Sequence, residues 1–99
     1  MMRHAFAAAA LLAAAPLAAQ STTQDDISAR YDRALAAGYK ALFLCSAIAN
    51  AERNGTTRTP ESVAAWELTG IQSPLDAVVH DLPYTIDRDS DGGIRQVVV

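Results

Sequence analysis

The sequence predicts an α+β chain: a signal peptide, one long buried helix, one short helix and a C-terminal β-hairpin. Together these read as the leading part of a larger α+β domain. Three observations carry that prediction. Apolar residues recur at helical spacing from Asp25 to Ala51. Thr59-Pro60-Glu61-Ser62 is a strong helix start. Two β-rich segments near the end flank a run of Asp, Ser and Gly.

Met1–Gln20 opens the chain with a short basic stretch, Arg3-His4, followed by the apolar run Ala5–Leu17 and the small residues Leu17-Ala18-Ala19. This is the pattern of a secretory signal peptide, too short in its apolar part to remain as a membrane span. Cleavage after Ala19 gives two parts, a signal peptide over 1–19 and a mature chain over 20–99, and predicts an exported, periplasmic or secreted product. The chain carries 8 basic and 11 acidic residues, a formal charge of −3, with no Lys/Arg cluster. That balance speaks against nucleic acid as a partner. Cys45 is the single cysteine, so no internal disulfide can form. Within an apolar run, a lone thiol is read as packing.

In the mature chain, Thr22 or Thr23 is expected to cap the long helix, with Asp25 and Asp26 at its positive end. Ile27, Tyr31, Leu35, Gly38, Leu42, Cys45 and Ala49 fall on one face and are expected to turn inward. Beyond Lys40, the run Ala41–Ala49 is apolar on nearly all sides. Gly38, Ala41, Ser46 and Ala47 are small enough to admit another backbone. Asn54-Gly55 supplies a left-handed stop.

Thr59 caps a second helix of about two turns, ending at Thr69-Gly70. Its Trp66 is expected to pack on the long helix. Ser73-Pro74 marks a break, and Leu75–Leu82 is ambiguous between helix and strand. Tyr84–Ile86 and Ile94–Val99 then form a hairpin around Asp87–Gly93. The Val-rich second strand reads as interrupted, with the remainder of the domain expected downstream.

Asp87, Asp89 and Asp91, followed by Gly92, match the first part of a calcium-binding loop. The bidentate Glu needed at the last position is Val98, and strand formers replace the second helix. A hairpin turn explains the same residues, and no cofactor or metal is expected. His80 beside Asp81 has no nucleophile near it in sequence and reads as a surface residue. No serine satisfies S-x-x-K: Ser21, Ser28, Ser46, Ser62, Ser73 and Ser90 have Gln, Tyr, Ala, Ala, Asp and Gly at the third place. G-x-S-x-G, H-E-x-x-H, C-x-x-C and a phosphate loop are also missing from the sequence.

The segment Gly38-Tyr39-Lys40-Ala41, continuing to Leu44-Cys45-Ser46, resembles the N-terminal helix of exported bacterial serine hydrolases. These belong to the β-lactamase-related, penicillin-binding-protein-like superfamily. Pro60–Ser62 and the Tyr84–Val99 hairpin fit the same leading region. The sequence departs after Ile48, where the group continues Val/Phe-rich and this chain has Ala49-Asn50-Ala51-Glu52-Arg53. The resemblance implies acyl-transfer hydrolysis of a small ester or amide. The implied machinery is a Ser nucleophile in S-x-x-K, a Tyr and an oxyanion hole of backbone N–H groups. None of these catalytic residues maps onto this chain; they are expected beyond Val99, and the chain itself is expected to be inactive. The alternatives are a small exported interaction module without catalysis, or a weak calcium-binding module at Asp87–Asp91.

Overall fold

A computed structural model gives the backbone from Met2 to Val99 and the side chains from Thr22 to Val99. The side chains of the expected signal peptide lie outside the described residues. The elements in order are α1 (Met2–Arg53), α2 (Pro60–Trp66), α3 (Asp76–Val79), β1 (Thr85–Arg88) and β2 (Ile94–Val98). The chain is thus α+β, with the expected helices and hairpin. It divides into two compact units, Met1–Tyr31 and Asp32–Val99. The first is wholly helical from Met2, and its Ile27 and Tyr31 are exposed.

Helix α1 does not begin at Thr22 or Thr23. It is already helical from Met2. Alanine and leucine have the best helix propensities, and the run before Gln20 is built from them, so the polar stretch continues a helix rather than starting one. Over Thr22–Arg53, α1 is long and apolar enough to cross a membrane by length and composition, and 28% of its most apolar window is buried.

At the other end the Asn54-Gly55 stop forms as expected. Gly55 takes φ +79°, its N–H donates to Glu52 O, and Thr56 N–H donates to Ala51 O at 2.9 Å. These two reversed bonds satisfy the last carbonyls of the helix, and the left-handed φ suits a residue without Cβ.

The Asp32–Val99 unit buries two small clusters. One joins Ala36 to Leu68, Val79 and Leu82. The other joins Leu44 and Ile48 to Val63, with Ile86, Ile94 and Val97 of the hairpin against it. Phe43 touches both. The buried stripe of α1 is therefore Ala36, Lys40, Leu44 and Ile48, spaced by four.

This corrects the face assigned from the sequence. Ile27, Tyr31, Leu35 and Leu42 are exposed, Leu42 by 59%. Gly38 faces open space, with nothing within 4 Å of an added Cβ. The seam lies about 100° round the helix from the expected one. The reason is that Ala41–Ala49 offers apolar residues on every face, so spacing does not choose among stripes. The chosen stripe also contains a lysine, which hid it. The long helix is accordingly half-exposed, not buried.

Thr59 caps α2 as its sequence predicts: its Oγ1 accepts from Ser62 N–H at 3.1 Å, and Pro60 occupies the first turn. Val63 turns inward, and Trp66 is 78% exposed. The expectation that Trp66 packs on α1 fails because α2 is seven residues long and presents Val63, not Trp66, to the cluster. Leu75–Leu82 resolves as a single helical turn, α3, after a cis Ser73-Pro74 peptide.

The hairpin forms where expected. Antiparallel β1 and β2 pair Thr85 with Val98, Ile86 with Val97, Asp87 with Gln96 and Arg88 with Ile94, so Arg95 is bulged. Arg88 joins this hairpin to α1 through Glu52 at 2.9 Å and also bonds Gly92 O.

Candidate functional site

Of the residues that carry the serine-hydrolase resemblance, Lys40 and Leu44 are buried, whereas Gly38, Tyr39 and Ser46 are exposed. Lys40 is 4% exposed. Its ammonium donates to Leu82 O at 2.7 Å and to His80 O at 3.1 Å, and lies 5.3 Å from the centre of the Tyr84 ring. Two carbonyl dipoles and an aromatic face thus stand around one buried cation. Burial pushes its amine below the usual lysine range, against the opposing pull of the Asp81 carboxylate. Leu44 is core, Cys45 is a half-buried free thiol, and Ser46 donates its hydroxyl back to Leu42 O at 2.6 Å. That is the local back-bond common to helical serines, not an activated nucleophile.

The turn carboxylates do not converge. Asp87 accepts from Arg95 at 2.7 Å and from Gln96. Asp91 accepts from Gly93 N–H at 2.9 Å, and Gly92 takes φ +90°. Asp89 closes the turn through its main chain, bonding Gly93 O at 2.8 Å. No group of three His, Cys, Asp or Glu able to hold a metal occurs among the described residues. The alternating Asp pattern is used by the hairpin.

What the structure does assemble is a groove of about 570 Å³ in the Asp32–Val99 unit. One wall is the α1 stripe Asp32, Leu35, Tyr39 and Phe43, spaced by three, four and four. That places its ends about 16 Å apart along the helix. The opposite wall is Glu67 and the connection Gly70–Leu75. Helix α2 positions this connection through a clamp. Arg58, just before the cap, donates two parallel bonds to Glu67 at 2.8 and 2.7 Å and a third to Ser62 Oγ. The Arg58 hydrogen bonds hold the Glu67 carboxyl below the usual range, and Glu67 raises the Arg58 guanidinium in return.

Glu67 is thus neutralised from within. Asp32 has no hydrogen bond or ion pair among the described residues. Sequence reasoning placed Leu35 in the core and read Ser73-Pro74 only as a break. Leu35, Tyr39 and Phe43 line the groove beside the buried stripe, and nothing in their spacing pairs them with Gly70–Leu75.

No family model, curated protein or solved structure matches the chain.

Proposed function

We propose that this chain is the leading segment of an exported serine hydrolase and that it contributes packing surface, not catalytic groups. The single observation that supports the reading is the use made of the resembling motif. The Lys40 ammonium is committed to two main-chain carbonyls, and Ser46 is bonded back to its own helix. A lysine so held is not placed to serve as a base toward a serine, since its ammonium donates to two main-chain carbonyls. The exposed Leu42 and Trp66 are large apolar groups that a further part of the protein would cover.

A second reading, an exported interaction module without catalysis, is favoured by a different observation. No buried side-chain nitrogen or oxygen among the described residues lacks a hydrogen bond, so the Asp32–Val99 unit is internally consistent. The coding sequence past Val99 separates the two: an open frame carrying S-x-x-K is the expected result, and an immediate stop codon would overturn the first reading. Either way, the 99-residue chain should not turn over nitrocefin or p-nitrophenyl acetate above a heat-treated control. Turnover abolished by Ser46→Ala would sink the non-catalytic assignment.

A further inference from the structure

We propose that the groove between α1 and Gly70–Leu75 binds a small organic cation carried on an aromatic or alkyl body, with its ammonium at Asp32. The volume, about 570 Å³, falls within the ~300–1,000 Å³ typical of small-molecule pockets. Its lining is mostly apolar, with Leu35, Tyr39, Phe43, Ile71, Pro74 and Leu75, and also includes Gln72 and Ser73. Such a lining takes an apolar body by removing it from water.

Charge then selects the ligand. Two carboxylates line the groove, and no Lys, Arg or His does. Glu67 is already paired with Arg58 at 2.7 Å, whereas the half-buried Asp32 has no hydrogen-bond or ion-pair partner among the described residues. An ammonium at Asp32 gains a charge-assisted hydrogen bond, and the apolar body it carries can lie along α1 toward Tyr39, about 10 Å further along the helix. An anion of the same shape would face one uncompensated carboxylate and be repelled. Every lining residue belongs to the Asp32–Val99 unit, so this site does not rest on the serine-hydrolase reading.

The test is an NMR titration of the full 99-residue chain with three probes of one shape: 2-phenylethylammonium, 2-phenylethanol and phenylacetate. The ammonium is expected to shift the Tyr39 and Leu35 resonances at millimolar concentration and to bind at least about tenfold more tightly than the alcohol. Phenylacetate should produce no shift. Asp32→Asn should remove the preference for the ammonium while leaving the alcohol's binding unchanged, and added salt should weaken the ammonium alone. Equal binding of all three probes, no shift with the ammonium, or an unchanged preference in Asp32→Asn would each overturn the proposal.

Discussion

The Lys40 ammonium and the Leu82 carbonyl oxygen lie 2.7 Å apart, although 42 residues separate them in sequence. The same ammonium holds His80 O, so one side chain of α1 fixes the chain as it leaves α3 and before it enters β1. The loop thereby gains acceptors' partners that no backbone N–H supplies. The arrangement explains how a lysine comes to occupy the buried stripe between Ala36 and Leu44.

Replacing Lys40 with Met keeps the aliphatic stem and removes the donors. The Leu82 and His80 carbonyls then lose their partner, and orphaning a buried acceptor costs about 1–3 kcal/mol. Lys40→Met is expected to lower the unfolding free energy by that amount, read as a lower urea midpoint at unchanged m-value. Its hydrogen-exchange protection should fall most in the 80–85 segment. An unchanged midpoint would mean that water reaches these carbonyls readily.

Gly55 offers a sharper test of backbone conformation. Its φ is +79°, and an added Cβ would meet nothing within 4 Å. Gly55→Ala therefore carries a conformational cost of about 1 kcal/mol without any clash. Gly38→Ala, inside a helix and equally open, should instead stabilise by about 0.5–1 kcal/mol. Thermal melts of the two variants should move in opposite directions.

The Arg58–Glu67 clamp predicts a pH dependence. The folded-state carboxyl of Glu67 sits below its unfolded value of about 4.3. Such a group binds more protons when unfolded, so its contribution is present above that value and lost as pH falls through the lower folded value. Glu67→Gln should flatten this part of the acid side of the stability curve. Both side chains are partly open to water, so salt should reduce the effect.

The hairpin turn predicts indifference to calcium. Asp87 is held by Arg95 and Asp91 by Gly93 N–H. Millimolar Ca²⁺ should leave the melting temperature unchanged, whereas Asp87→Asn should lower it slightly through loss of the Arg95 contact. A rise of several degrees with Ca²⁺ would show that the three carboxylates can converge.

The sequence by itself determined the features whose causes are local. Asn54-Gly55 dictated the helix stop, because only a residue tolerant of positive φ closes those carbonyls. Thr59-Pro60 dictated the start of α2, and the Asp/Gly run between β-branched segments dictated the hairpin. Tertiary structure alone decided which face of α1 is buried. In a run apolar on all sides, periodicity is degenerate, and the choice fell to the stripe whose small Ala36 admits Leu68 and Val79 and whose Lys40 meets two carbonyls from far along the chain. Once that stripe is inside, Leu35 and Tyr39 must turn toward Gly70–Leu75, and the groove exists. No local pattern could announce it, because its two walls come from segments about thirty residues apart that meet only through packing.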